Sequence, residues 1–147
     1  MSKTWFITGA ARGLGAAIAH AALAAGDNVV VSGRRIEVLQ SVFAPYGERV
    51  LAVALDVSDE AQALAAVDTA VAHFGRIDVL VNNAGLHRRG DVANNDCDDL
   101  VQMMDVNLTA PIALSRLVIP DLRQSGGGAI VNVASLAGFT PIQGAAT

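Results

Sequence analysis

Short apolar runs alternate along this chain with longer stretches in which apolar residues recur at helical spacing. The runs over residues 4–8, 28–32, 50–55, 78–82 and 129–134 are almost wholly apolar and rich in Val, Ile and Leu. That is the pattern of parallel strands covered on both faces, not of strands with one wet side. Between them, residues 13–25, 36–43, 59–74 and 98–124 predict helices, and Gly26 and Gly75 fall where helix C-terminal glycines belong. Strand–helix repetition with right-handed crossovers predicts an α/β fold, a doubly wound parallel sheet with five strands present. The 129–134 strand is expected beside the 78–82 strand, at an edge. The 98–124 helix is apolar on more than one face, through Met103, Met104, Leu108, Ile112, Leu117 and Leu122. Both want covering partners, so the sheet reads as incomplete on its C-terminal side and the chain as prone to association.

Composition narrows the picture. With 147 residues, 52% of them apolar and 16% charged, the chain fits one domain, spanning 1–147, and buries a core easily. A net charge of −4 with no basic stripe argues against nucleic acid as a partner. Cys97 is the sole cysteine, which excludes an intrachain disulfide and suits a reducing, cytoplasmic setting. Arg12 and the glycines interrupt any apolar core of a signal peptide. Residues 124–147 carry no charge, but Gly126, Gly127, Gly128, Asn132 and Pro141 break the apolar continuity that a membrane span needs. A buried strand followed by a site loop, and no membrane partner, is the expectation there. No His, Cys or acidic cluster has metal-ligand spacing.

The chemistry starts at Thr8-Gly9-Ala10-Ala11-Arg12-Gly13-Leu14-Gly15, between an apolar strand and an alanine-rich helix. Strand, glycine turn and helix together aim backbone N–H groups and a positive helix end at a phosphate. Side chains at the glycines would block the diphosphate or the turn itself. The spacing, Gly9-x3-Gly13-x-Gly15, differs from the commoner G-x-G-x-x-G. At the end of the second strand an acid would hold the ribose 2′-hydroxyl of NAD, but the chain has Ser32-Gly33-Arg34-Arg35. Guanidiniums there, with Arg12 closing from the turn, suit a 2′-phosphate and favour NADP(H) over NAD(H); solvated arginines at a helix start are the other reading.

Six more places follow. Asp56 can accept from an adenine amine with Val57 against the ring, or it can cap the next helix together with Ser58 and Asp59. Asn82-Asn83-Ala84-Gly85 ends the fourth strand at the switch point, where small residues admit a ligand and amides brace strands; a plain turn is the alternative. Pro111 lacks an N–H, so in a regular helix the carbonyl of Asn107 loses its partner. A kink with an ordered water at Asn107 is the expected result. Ser135, just past the fifth strand, either offers its hydroxyl to a substrate carbonyl or is a turn residue. His87, Arg88 and Arg89 either overhang the pocket toward an anionic substrate or form a solvated loop. Residues 139–143 are a candidate pocket lining.

Taken in register, these motifs resemble the short-chain dehydrogenases/reductases, and the resemblance covers the whole chain. It implies a Rossmann-like domain binding a nicotinamide dinucleotide through Thr8, Gly9, Ala11, Arg12, Gly13, Leu14, Gly15, Arg34, Asp56, Val57, Asn83, Ala84 and Gly85. It implies that Ser135 positions a substrate carbonyl and that the Asn107 backbone carbonyl holds a relay water. Arg12 and Arg34 match positions used for NADP(H). The implied reaction is hydride transfer between coenzyme and a small alcohol or carbonyl compound, in a protein that is a homo-oligomer when intact. The family's Tyr-x-x-x-Lys pair is not found: the only tyrosine is Tyr46 and the only lysine Lys3. The chain is therefore expected to be C-terminally truncated just before that pair. Taken alone, it reads alternatively as a non-catalytic NADP(H)-binding fragment. The Gly9-x3-Gly13 spacing disfavours a sugar-nucleotide epimerase, and Arg34 disfavours a methyltransferase.

Overall fold

In the computed structural model, residues 1–140 are described. Five parallel strands form one sheet: β1 (Thr4–Thr8), β2 (Asn28–Gly33), β3 (Val50–Ala54), β4 (Val79–Asn82) and β5 (Ala129–Asn132). Their spatial order is β3-β2-β1-β4-β5, so chain order reverses direction between β1 and β4. Helices α1 (Gly13–Ala24), α2 (Ile36–Phe43), α3 (Glu60–Phe74), α4 (Cys97–Met104) and α5 (Ala110–Gln124) provide the crossovers.

Alternation along the strands builds two cores. Phe6, Val30 and Leu80 point to the face covered by α3 and α5, where they meet Ala66, Val67, Leu114 and Val118. Their neighbours Ile7, Val29, Val31, Val79 and Val81 point to the other face, against Ala19, Ala22 and Leu23 of α1 and Leu39 and Phe43 of α2. A fully buried side chain of this size stabilises by about 2 kcal/mol. Ala19 and Ala22 of α1 are buried against the sheet. At the opposite end of the strands, Asp78 is buried, accepts the Thr4 N–H (2.8 Å) and pairs with Arg76. That carboxylate raises the Arg76 guanidinium pKa further above its ordinary value.

β5 lies at the sheet edge as expected, but it is exposed or half-buried along its length and not the buried strand expected there, because no described element covers its outer side. Val131 is 42% exposed, and Ile112 of α5 is 62% exposed. Several element ends shift by one residue, and two differences are larger. β5 stops at Asn132, and one further ladder bond, Val133 N–H to Asn82 O (3.0 Å), ends the pairing. The single long helix expected over 98–124 is instead two helices joined by a π turn, Asp105–Thr109. Pro111 lies in the first turn of α5. The chain thus absorbs the missing N–H by shifting hydrogen-bond register rather than by a simple bend. No helix among the described residues is long and apolar enough to cross a membrane.

Candidate active site

The carboxyl ends of the strands carry, in spatial order from β3 to β5, Asp56, Arg34, the glycine turn, Asn83 to Gly85, and Ser135. These are the residues that the sequence nominates, now along one edge.

At the glycine turn the packing is tight on one side and open on the other. A Cβ on Gly9 would sit 2.9 Å from Ala84 Cα, and one on Gly15 would sit 2.5 Å from both Asn83 Nδ2 and Gly9 O. These glycines are required by the turn's fit against β4. Ala10 is buried and its N–H is already used, donating to Ser32 O (3.0 Å). Ala11 is half-buried against the core face of α1, whereas Leu14 is 56% exposed. Above Gly13 there is open space. Helix α1 begins at Arg12 with no side-chain cap and no acid in its first turn. The amides of Gly13, Leu14 and Gly15 are the ones that an α-helix leaves without partners.

Arg12 and Arg34 are exposed, and neither forms an ion pair among the described residues. Register pairs Thr8 with Ser32, so the turn and the end of β2 adjoin. Two cations and a row of free amides, with no carboxylate at the end of β2, form a donor set that fits a phosphorylated dinucleotide.

Across the sheet the ends of β1 and β4 are laced together. Thr8 Oγ1 donates to Val81 O (3.3 Å) and accepts from the N–H groups of Asn83 (3.0 Å) and Ala84 (2.9 Å). Thr8 is buried, so its hydroxyl is spent on the strand ends and acts there as a strut. Asn83 Nδ2 donates to Thr8 O (3.0 Å) and Gly9 O (3.2 Å). Asn82 Nδ2 donates to Asn132 Oδ1 (2.8 Å), bracing β4 against β5.

At the β3 end, the capping role falls to Asp59, whose carboxylate accepts the Gln62 N–H (3.0 Å) and whose pKa is lowered by that bond. Asp56 instead accepts from Ser58 and leaves its Oδ2 without a protein partner among the described residues. Val57 packs at the margin of the core beside it.

Asn107 lies in the π turn. Its side chain makes a reciprocal pair with Leu86: Nδ2 donates to Leu86 O (2.7 Å) and Oδ1 accepts the Leu86 N–H (2.8 Å). This anchoring of the loop after Gly85 is absent from the sequence reading, which assigned Asn107 only a backbone role. A pairing across 21 positions leaves no local signal. Arg88 is likewise held, donating to Asp99 Oδ1 (3.1 Å), Gln102 Oε1 (3.2 Å) and Met103 Sδ (3.2 Å). It is a clamp onto α4, while His87 and Arg89 are exposed. Ser135 opens a 3₁₀ turn, Leu136–Gly138, its Oγ accepting the Ala137 N–H (3.2 Å). Phe139 is 89% exposed, and residues 141–143 of the candidate pocket lining fall outside the described residues.

The sequence matches the short chain dehydrogenase family over residues 3–147. It is 47% identical over 139 residues to an oxidoreductase of Botryotinia fuckeliana, covering 94% of this chain and 51% of that protein. It is 35% identical to a probable NADP-dependent dehydrogenase of Haemophilus influenzae, covering 97% of this chain and 57% of that protein. The fold superposes with a TM-score of 0.93 on a 3-ketoacyl-(acyl-carrier-protein) reductase from Brucella melitensis complexed with NADH. That pair is 33% identical, with 98% of this chain and 62% of the reductase covered. The chain thus spans about half the length of the curated relatives it matches.

Proposed function

The chain belongs to the short-chain dehydrogenase family, and on that premise we propose that at full length it is an NADP(H)-dependent oxidoreductase interconverting an alcohol and a ketone or aldehyde. The observation that carries this reading is the first turn of α1, left without a side-chain cap and flanked by Arg12 and Arg34, neither of which forms an ion pair among the described residues. Its amides hold the diphosphate, and the two guanidiniums grip the 2′-phosphate. When bound, the coenzyme supplies or takes up a hydride. Ser135 donates its hydroxyl hydrogen to the substrate oxygen, and the Asn107 carbonyl holds the relay water. Ala84 and Gly85 keep the end of β4 small enough for close approach, while the Asn83 amide braces it against the glycine turn.

The proton that balances the hydride needs a general acid, typically worth about 10²–10⁴ in rate. Tyr46 does not serve. It lies between α2 and β3, at the edge of the sheet remote from β5, with its hydroxyl 2.8 Å from His20 Nδ1. Residues 1–147 alone are therefore proposed to bind coenzyme without turning over substrate. A homo-oligomeric assembly and a cytoplasmic location belong to the same proposal; the exposed Met104, Leu108 and Ile112 support the first.

Calorimetric titration of the full-length protein with NADPH and NADH tests this. The Arg34→Asp variant is expected to weaken NADPH binding by about 10- to 100-fold while changing NADH binding by less than about threefold. Equal losses for both would remove the 2′-phosphate assignment, and uptake of neither coenzyme by the unsubstituted protein would end the reading.

A further inference from the structure

The segment after β3 holds a hydrogen-bonded chain that helix capping does not need. Asp59 alone caps α3, through the Gln62 N–H (3.0 Å) and the Gln62 side-chain amide Nε2 (3.0 Å). The Gln62 amide is turned so that its Oε1 accepts the Asp56 N–H (3.0 Å), which ties the Asp56 backbone to the first turn of α3. Ser58 then acts on the Asp56 carboxylate itself. Its Oγ donates to Oδ1 (2.7 Å) and its N–H donates to the same oxygen (3.1 Å). Both donors go to one oxygen, so the carboxylate plane is fixed and Oδ2 is left as an acceptor facing no protein donor among the described residues. Backbone and side-chain torsions of Asp56 are therefore set before any ligand arrives.

We propose that Ser58 is a positioning residue: by holding Asp56 Oδ1 it presents Oδ2 to the exocyclic amine of an adenine base, and thereby makes coenzyme binding selective for a purine with a donor at that position. The proposal rests on the coenzyme reading above. A base bearing a carbonyl oxygen there, as in a hypoxanthine dinucleotide, would set lone pairs against a carboxylate that cannot turn away. The cost of ordering the carboxylate is met within the protein only while Ser58 holds it. Without Ser58 that cost falls on the adenine coenzyme alone, because the hypoxanthine coenzyme makes no bond to Oδ2.

The test is the ratio of dissociation constants for NADPH and its deaminated hypoxanthine counterpart, measured by calorimetry on the full-length protein and on Ser58→Ala and Ser58→Thr. The unsubstituted protein is expected to prefer the adenine form by about tenfold, Ser58→Ala to cut that ratio by about three- to tenfold, and Ser58→Thr to restore it. Thermal unfolding of Ser58→Ala is expected to match the unsubstituted protein, because the α3 cap is Asp59. A ratio unchanged in Ser58→Ala, equal weakening of both coenzymes, or no base preference in the unsubstituted protein would each overturn the assignment while leaving the coenzyme reading intact. Absence of binding by either coenzyme would instead strike the coenzyme reading itself.

Discussion

Helices α1 and α3 both rise from the carboxyl end of a parallel strand, yet they begin in opposite ways. At α3 the chain satisfies its own amides: Asp59 accepts the Gln62 N–H, and Glu60 adds a second acid to the first turn. At α1 the cap position is an arginine, no side chain accepts, and the first turn holds no acid. Charge and geometry at α3 are closed. At α1 they are unbalanced toward positive, and two glycines press the turn against β4 while the third leaves its outer side clear. Helix α2 is also uncapped but carries Glu37 in its first turn, whereas α3 and α4 are capped by aspartates; α1 has neither cap nor acid, and under the proposed function its start is where the anionic diphosphate binds.

The sharpest way to break this contrast is Gly15→Val. Its Cβ would lie 2.5 Å from Gly9 O and Asn83 Nδ2, so backbone must move. Destabilisation of about 1–3 kcal/mol in urea unfolding is expected, with coenzyme affinity reduced at least about 100-fold. Undiminished affinity would show that the turn does not hold the diphosphate. Next is Arg12→Asp, which gives α1 the carboxylate cap that α3 has. The fold should gain about 1 kcal/mol, while NADPH binding falls about tenfold or more as the new carboxylate occupies the amides. A more stable protein with unaltered affinity would disconnect the bare helix start from function.

The smallest effect is expected from Asp59→Ala, read from unfolding as a function of pH. Hydrogen bonds from Gln62 hold the Asp59 pKa below its ordinary value in the folded state. Its contribution is therefore complete above the unfolded carboxylate pKa and disappears as pH falls through the lower, folded one. The variant should lose stability near neutrality, show a shallower decline in acid, and keep its preference between NADPH and NADH. An unchanged acid limb would remove Asp59 as the cap.

Much of this was legible from residue order because it is local. The apolar runs gave all five strands: β1, β2 and β4 are buried on both faces, and the edge strands β3 and β5 keep the same apolar run although they are half-buried or exposed. The absent acid after Ser32 and the glycine spacing located the crevice. What stayed hidden depends on partners distant in sequence or on a choice between near-equal local geometries. Pro111 announced a disruption but not that a π turn would absorb it. Asp56 and Asp59 looked interchangeable as caps, and it is the backbone N–H of Gln62, donated to Asp59 Oδ1, that separates them. The tie of Asn107 to Leu86, the clamp of Arg88 on α4, and the burial of the Thr8 hydroxyl among Val81, Asn83 and Ala84 each join segments whose spacing carries no period. β5 was extended too far because Val133 and Ala134 continue the apolar run after the ladder has ended.

One side chain has an effect larger than its size. The Asn83 amide donates to two successive carbonyls, Thr8 and Gly9, from the tip of the neighbouring strand. The ends of β1 and β4 are thereby joined by a side chain as well as by the strand ladder, and the segment beyond Gly85 is held separately, at Leu86 and Arg88, leaving His87 and Arg89 to extend outward.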